Sequence, residues 1–203
     1  MDELNERELS RVRFRFLDLI KSFFVEEPDA ETMSRWRGTF SALARQQISP
    51  RFDNGVKEIT RALSCKTLKE LQEEYYRLFV NPLDGGTVAM TASYYLNGRG
   101  YDQALVDVRG FMMEAGIQKN AEVTEPEDSL VVMLDILASL VEEEKLGVGE
   151  SNRQLQGRLL KEFLEPVTEK FAMALKKHEQ ADFYYLCSRL LAGYLELESE
   201  LML

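Results

Sequence analysis

Residues 67–82 read Thr-Leu-Lys-Glu-Leu-Gln-Glu-Glu-Tyr-Tyr-Arg-Leu-Phe-Val-Asn-Pro, and this stretch decides the fold class. Thr67 and Glu70 have the spacing of a capping box, in which the hydroxyl and the carboxylate each bind a free backbone N–H group at the start of a helix. Apolar side chains then recur three and four residues apart, which places them on one helix face. The helix must end before Pro82, because proline disfavours helical backbone in the preceding residue and has no N–H group. The stretch therefore predicts a helix from Thr67 to Val80.

The same helical pattern extends through the rest of the chain. From about residue 3 to 25, apolar residues recur at spacings of three and four: Leu9, Val12, Phe16, Leu19, Ile20 and Phe23. Glycine and proline are scarce and lie between the periodic stretches, while Asp29 and the pair Ser49-Pro50 are residue types that begin helices. The sequence predicts an all-α fold without a sheet, in the form of a single globular bundle of about eight to ten helices with one domain over residues 1–203.

The middle of the chain contains two predicted helices that are separated by glycine-containing breaks. A loop follows Pro82, and a short helix is expected from Ala89 to Leu96. A second helix is expected from Tyr101 to Ala115, closed by Gly116 at the position where a left-handed residue often ends a helix. Residues 116–124 are then a connector.

The C-terminal part of the chain has two more predicted helix starts. Residues 124–127, Thr-Glu-Pro-Glu, fit a capping box with proline in the first turn, and an apolar run follows. Residues 151–154, Ser-Asn-Arg-Gln, fit a capping box of the Ser-x-x-Gln form at the start of the next helix. Pro166 is predicted to kink that helix or to begin another that ends near His178, and a last helix covers about residues 181–200.

Composition and charge restrict the cellular setting and the partners. Acids outnumber Lys and Arg by 35 to 25, and the formal charge of -10 repels nucleic acid and attracts cationic ligands. Charges interrupt every apolar run, and the N-terminal residues are acidic where a secretory signal would be basic. Cys65 and Cys187 lie far apart in the sequence, so they do not indicate a disulfide framework. We therefore expect a cytoplasmic protein without a disulfide framework, without stable membrane insertion and without a nucleic-acid partner.

The residue types needed for catalysis are missing at useful spacings. His178 is the single histidine, so neither a di-iron site built from Glu-x-x-His motifs nor a histidine-rich zinc centre can form. No P-loop or Gly-x-Gly-x-x-Gly motif is present. We predict no catalytic residue, no metal site and no cofactor, which favours a binding function over an enzyme.

Two segments carry a resemblance to a known family. Residues 75–82, Tyr-Tyr-Arg-Leu-Phe-Val-Asn-Pro, resemble the Tyr-x-x-Leu-Phe-x-x-Pro signature of the TorD/DmsD/NarJ family of redox-enzyme maturation chaperones. Residues 125–129, Glu-Pro-Glu-Asp-Ser, resemble that family's Glu-Pro-x-Asp-His element, with Ser129 in place of the histidine. Weaker similarities occur at residues 92–95 and in the last helix, at 183–186, in the same order as in the family.

The resemblance implies a function and a set of site residues. Members of the family bind the twin-arginine leader or the N-terminus of a molybdopterin oxidoreductase subunit and hold back its export until cofactor insertion and folding are complete. By this resemblance, a peptide-binding site comprises Tyr75, Leu78, Phe79, Pro82, Glu125, Asp128 and Ser129. The first four would line or support its apolar part, and the acids would face the arginines. Family members exist as monomers or exchange C-terminal helices in domain-swapped dimers, for which residues 116–124 would serve as the hinge.

Other interpretations of the same residues remain open. Tyr75, Leu78 and Phe79 share a helix face with Leu71, which is also the pattern of an ordinary core. The acids of residues 125–128 also suit the positive end of a helix dipole. The alternative functions are a helical adaptor that binds a partner helix and a weak guanine-nucleotide-binding protein.

Overall fold

Helices account for the regular structure in the computed structural model, which describes residues 3–81, 87–144 and 150–202. The described residues form ten α-helices: α1 Glu3–Lys21, α2 Ala30–Leu43, α3 Pro50–Cys65, α4 Leu68–Tyr75, α5 Ala92–Asn97, α6 Gln103–Glu114, α7 Leu130–Glu144, α8 Glu150–Leu159, α9 Glu165–Lys177 and α10 Phe183–Glu200. Two π-helical segments, Tyr76–Val80 and Leu160–Leu164, directly follow α4 and α8. The all-α prediction is confirmed.

The helix starts predicted in the first third of the chain are confirmed, because local side chains satisfy the first N–H groups. The Asp29 carboxylate accepts a hydrogen bond from the Thr32 N–H group at 2.7 Å. Ser49 caps α3, which begins with Pro50. Thr67 and Glu70 form both halves of the capping box at the start of α4. Each start needs only residues within one turn, which explains why the sequence predicts it.

The end of α6 also agrees with its prediction. Gly116 has a φ of 69°. Its N–H group donates to the Met113 carbonyl at 3.3 Å, and the next N–H group, of Ile117, donates to the Met112 carbonyl at 2.9 Å. These two bonds form a Schellman motif, which requires a left-handed residue at the glycine position.

Two predicted starts in the C-terminal half are wrong. α7 begins at Leu130 rather than at the predicted box of residues 124–127, because Ser129 caps it and its hydroxyl accepts from the Val132 N–H group at 3.2 Å. Ser151 lies inside α8, which already includes Glu150, so Ser151 cannot be the cap. Residues 127–129 make long-range contacts, which explains why α7 begins later than predicted.

The π-helical segments each introduce a wider turn into a longer helical run. In the first, the Asn81 N–H group donates to the Tyr76 carbonyl, five residues back, at 2.8 Å. In the second, the Glu165 N–H group donates to the Leu160 carbonyl. Pro166 follows directly and has no N–H group, so the wider turn lies where the proline would otherwise disturb an α-helix.

Extended structure is minimal. Within the described ranges, the pairing between extended residues is a single antiparallel bridge between Thr91 and Ser129. Among the helices that the structure describes, none has both the length and the apolarity to cross a bilayer.

Contacts divide the chain into two compact units. Unit 1 comprises Met1–Lys21, Met90–Val167 and Glu198–Leu203, and unit 2 comprises Ser22–Ala89 and Thr168–Leu197. The prediction of one domain with a hinge at residues 116–124 stays a prediction.

Unit 1 is built on the apolar helix α7. Eight of its residues are buried, namely Leu130, Val132, Met133, Leu134, Ile136, Leu137, Leu140 and Val141. α1 packs along α7, and the Lys21 ammonium lies 2.5 Å from the Asp135 carboxylate. A buried guanidinium, that of Arg13, hydrogen-bonds the Glu198 carboxylate of the last helix at 2.6 Å.

Unit 2 has an aromatic core. The ring of Trp36 lies 4.7 Å from that of Phe23 and 5.9 Å from that of Phe183, measured between centroids. The indole N–H group of Trp36 donates to the Ser22 hydroxyl at 2.8 Å. The buried rings therefore join the segment after α1 to α2 and α10.

The left-handed conformation of Gly116 provides a stability test. Gly116→Ala is expected to lower the free energy of unfolding by about 1–2 kcal/mol, because a Cβ atom disfavours the left-handed region. Gly110→Ala in the interior of α6, where a Cβ would meet nothing within 4 Å, is the matched control and should raise that free energy by up to about 1 kcal/mol. Urea denaturation of both variants checks the pair, and equal effects would contradict the assigned helix end.

Candidate functional site

Five rings of unit 2 surround the first motif, and we call them the aromatic cluster: Phe24, Tyr75, Phe79, Phe171 and Tyr184. Phe79 lies at its centre. Its ring centroid is 5.1 Å from that of Tyr75 and 5.3 Å from that of Tyr184. The centroids of Phe171 and Phe24 lie 6.3 and 6.4 Å from that of Phe79. These distances are those of edge-to-face and offset-stacked pairs, so the cluster is a packed aromatic arrangement.

Exposure differs sharply between the members of the aromatic cluster. Phe24, Phe171 and Tyr184 are 0% exposed, and Tyr75 is 6% exposed. Phe79 is half-buried, while its neighbour Leu78 is fully buried. A ligand that approaches the cluster from solvent would therefore contact Phe79 first.

The hydroxyl of Tyr184 is an unusual polar group within this apolar setting. It is buried and has no hydrogen-bond partner among the residues that the structure describes. Burial raises its pKa far above the usual range, and the charges of neighbouring groups that include Glu27 act in the same direction. The hydroxyl therefore stays protonated and can donate a hydrogen bond. An unpaired buried donor costs free energy until a partner reaches it.

Glu74 fixes the position of Tyr184 in the cluster. Its carboxylate accepts the backbone N–H groups of Asp182 at 2.8 Å and of Tyr184 at 3.0 Å, at the start of α10. Lys66 lies 3.7 Å from Glu74 and 2.8 Å from Asp182. Burial raises the pKa of Glu74, and the two backbone hydrogen bonds oppose that rise. A carboxylate from α4 thus holds the positive end of α10.

The raised pKa of Glu74 predicts a pH-dependent stability. Because the folded protein binds this proton more tightly than the unfolded chain, the contribution of Glu74 falls as the pH rises from 4.5 through the raised pKa. Glu74→Gln keeps an acceptor oxygen and loses the titration. The free energy of unfolding of the wild type, minus that of the variant, should therefore decrease across this pH range in urea denaturation. The matched control is Glu73→Gln on the exposed side of α4, and a pH-independent difference for Glu74→Gln would contradict the assignment.

The second motif lies in unit 1, where Asp128 has internal partners. One of its carboxylate oxygens accepts the backbone N–H group of Ser93 at 2.8 Å and the Ser93 hydroxyl at 2.5 Å. Its backbone carbonyl accepts the Ala92 N–H group at 2.8 Å. The residue is 1% exposed. Asp128 therefore holds the start of α5, and its other carboxylate oxygen has no partner among the described residues.

The remaining residues of the second motif have different surroundings. Ser129 is buried and caps α7. Glu127 pairs with Arg109 at 3.0 Å. The side chain of Glu125 is exposed, and its backbone carbonyl accepts from the Lys119 ammonium at 2.6 Å. Glu125 therefore presents its carboxylate to solvent.

Ser93→Ala tests the internal role of Asp128. The change leaves a buried carboxylate with one donor fewer, and we expect the free energy of unfolding to fall by about 1–3 kcal/mol. Ser64→Ala, at an exposed serine of α3, should change it by less than about 0.5 kcal/mol. Thermal or urea unfolding checks both variants, and an unchanged stability of Ser93→Ala would show that the hydroxyl contributes little to holding Asp128.

The structure brings the first-motif residues together within unit 2 and places Glu125, Asp128 and Ser129 in unit 1. Pro82 lies outside the described residues. The assignment of these seven residues to peptide binding stays a prediction. The sequence interpretation missed Phe24, Phe171 and Tyr184 as neighbours of Phe79. The available signal is the aromatic pairs Phe23-Phe24 and Phe183-Tyr184, which lie far from residues 75–79 in the chain.

Potential metal ligands and thiols contribute little to this site. Over the part of the chain that the structure describes, no group of three or more His, Cys, Asp or Glu side chains is placed to hold a metal ion. Cys65 is exposed, whereas Cys187 is buried. Burial raises the pKa of the Cys187 thiol well above its usual range, so this thiol stays protonated and unreactive.

Comparison with known families matches residues 45–176 to the family of the nitrate reductase delta subunit, which is more than half of the chain. The chain belongs to this family. The resemblance to the TorD/DmsD/NarJ group, drawn from residues 75–82 and 125–129, is thereby confirmed. The matched range includes both motifs.

Curated relatives match most of the chain. The chaperone protein TorD of Actinobacillus pleuropneumoniae serotype 7 is 24% identical over 187 residues, which is 90% of this chain and 90% of the relative. The chaperone protein TorD of Actinobacillus succinogenes is 30% identical over 129 residues, covering 63% of this chain and 62% of the relative.

A solved structure has the same fold. The crystal structure of a proposed redox enzyme maturation protein from Archaeoglobus fulgidus superposes with a TM-score of 0.58 at 20% identity, covering 91% of this chain and 93% of that one. At this identity the similarity concerns the fold. It supports the all-α architecture described above.

Proposed function

We propose that this protein is a chaperone that binds the twin-arginine leader, or the N-terminus, of a molybdopterin oxidoreductase precursor, and that it assists cofactor insertion and maturation before export. The observation that carries the proposal is the aromatic cluster around the half-buried Phe79, which contains two residues of the family signature, Tyr75 and Phe79. Curated relatives that match 90% of this chain are named chaperones, which agrees with a binding function.

The leader has two chemical parts, and the aromatic cluster suits the apolar part. A twin-arginine leader carries paired guanidinium groups beside an apolar stretch. Aliphatic side chains of that stretch would pack on the ring of Phe79, which solvent reaches and which four other rings support from behind. The Tyr184 hydroxyl, which has no partner among the described residues, lies in the same cluster and would donate to a peptide carbonyl that reaches it.

Acids near the aromatic cluster suit the arginines. Glu26 and Glu27 are exposed and closely follow Phe24 in the chain. Glu27 follows the cluster member Phe24 by three residues in the chain. A carboxylate can bind a guanidinium through two parallel hydrogen bonds, so Glu27 is the proposed arginine contact in unit 2.

Residues of the second motif, at 125–129, are proposed to contribute to leader binding in two ways. The exposed Glu125 is the proposed arginine contact of unit 1. Asp128 and Ser129 are proposed to act on binding through the backbone that they hold, since both are buried and bonded to neighbouring segments.

Binding of a synthetic twin-arginine leader peptide tests the proposal. We expect Phe79→Ala to weaken binding about tenfold, which corresponds to about 1.4 kcal/mol, because it removes the apolar contact surface. Glu27→Gln and Glu125→Gln should each weaken binding about threefold or more, and this loss should diminish at high salt. Tyr76→Ala is the matched control, because Tyr76 is an exposed aromatic residue of the same π-helical segment. Fluorescence anisotropy with a labelled peptide gives the dissociation constants.

A second peptide, in which glutamines replace the two arginines, separates leader recognition from general peptide binding. The proposal predicts that the wild type binds this peptide at least about tenfold more weakly. Equal affinity for both peptides would contradict leader recognition and favour a helical adaptor. An unchanged affinity of Phe79→Ala would remove the aromatic cluster from the site.

A further inference from the structure

Three arginines form a line along the exposed side of α1, and we call them the arginine stripe: Arg7, Arg11 and Arg15. They are spaced four residues apart, so each lies about 6 Å further along the helix than the previous one. All three are exposed. The opposite side of α1 is buried through Leu17 and Ile20. The stripe is therefore fixed in orientation by the packing of α1 within unit 1.

The side chains of the arginine stripe differ from most other arginines of the described residues in their ion pairing. Eight other arginines pair with carboxylates, for example Arg51 with Glu196 at 2.9 Å and Arg158 with Glu114 at 2.7 Å. Among the described residues, Arg7, Arg11 and Arg15 have neither an ion pair nor a hydrogen bond from their side chains. In a chain with ten more acids than bases, three arginines in one line form a basic strip, with Glu142 beside two of them.

A cavity and two apolar side chains adjoin the arginine stripe. The cavity has a volume of about 240 Å³ and is lined by Ser10, Arg11, Phe14, Arg15 and Glu142. Phe14 is 38% exposed, and Val12, on the same helix, is 47% exposed. The surface thus combines positive charge with an aromatic edge and a recess large enough for one side chain of a partner.

We infer that the arginine stripe and its cavity bind an acidic helical segment of a protein partner, with carboxylates at every fourth position and one apolar side chain in the cavity. The spacing of the arginines matches that of acids along one face of a helix. A membrane surface fits less well, because the apolar side of α1 is buried and the net charge of -10 repels anionic lipid. Nucleic acid is disfavoured by the same charge. This surface shares no residue with the proposed leader site, whose ligand is cationic.

Replacement of Glu142 should change the binding affinity in the opposite direction to replacement of the arginines. Glu142 lines the same cavity as Arg11 and Arg15, so its negative charge should repel an acidic ligand that these arginines attract. Glu142→Gln is expected to tighten binding about twofold to threefold, whereas replacement of the arginines weakens it.

The experiment uses the full chain and a synthetic helical peptide with glutamates at every fourth position and one leucine on the same face. We expect binding that weakens with salt and that falls about tenfold in the triple variant Arg7→Gln, Arg11→Gln, Arg15→Gln. The matched control is the double variant Arg45→Gln, Arg61→Gln, which removes two exposed arginines of unit 2 and should leave the affinity unchanged. A peptide with glutamines in place of the glutamates should not bind.

The outcomes separate acidic-segment binding from its rivals. Equal losses in the stripe variant and in the control variant would overturn the inference, because they would show a general charge effect. Weaker binding of the peptide to Glu142→Gln would also overturn it. Stripe-dependent binding to phosphatidylserine vesicles or to inorganic phosphate without binding to the peptide would assign the stripe to another anion and overturn the inference. The assay contains no leader peptide, so its result does not depend on the proposed function.

Discussion

The carboxylate of Glu74 is the interaction on which the arrangement of unit 2 depends. It comes from α4 and accepts the first N–H groups of α10, more than a hundred residues further along the chain. Those groups would otherwise be unsatisfied in a buried place, where each would cost free energy. The bond fixes the rotation and position of α10, and the rotation of α10 places Tyr184 against Tyr75 and Phe79. The buried side chain of Glu74 thus holds α10 against α4, and this contact positions Tyr184 in the cluster that is proposed to bind a peptide.

The two motifs of the family have different physical roles in this protein. Tyr75, Leu78 and Phe79 pack into an aromatic arrangement with one ring reaching solvent, which is a surface that a flexible apolar segment can use. Asp128 and Ser129 are occupied with the starts of α5 and α7. Serine suits position 129 because its hydroxyl accepts a hydrogen bond from a backbone N–H group at the start of α7. Residues of a family motif can therefore act by holding backbone groups in place as well as by contacting a ligand.

Much of the fold follows from the sequence, and the part that does not follow depends on distant residues. The starts of α2, α3 and α4 are set by side chains within one turn, so Asp29, Ser49 and Thr67 predict them. The start of α7 is different. Residues 124–127 have the types of a capping box, but Glu127 pairs with Arg109 and Asp128 bonds to Ala92 and Ser93, so the helix begins at Leu130. For the candidate site, the sequence supplies the helix face of Tyr75, Leu78 and Phe79. It does not supply Phe24, Phe171 or Tyr184, because nothing local indicates which distant rings complete the cluster.

The π-helical segment at Tyr76–Val80 has a consequence for how this region is compared between relatives. A π turn accommodates one residue more than an α turn over nearly the same length, so it behaves as a one-residue insertion absorbed inside a helix. Residues at the C-terminal end of this segment therefore take positions around the helix axis that differ from those of a regular continuation of α4. A relative that lacks the extra residue would present different side chains in the last turn of this helix. Gapless alignment across the signature would then equate positions that face different directions.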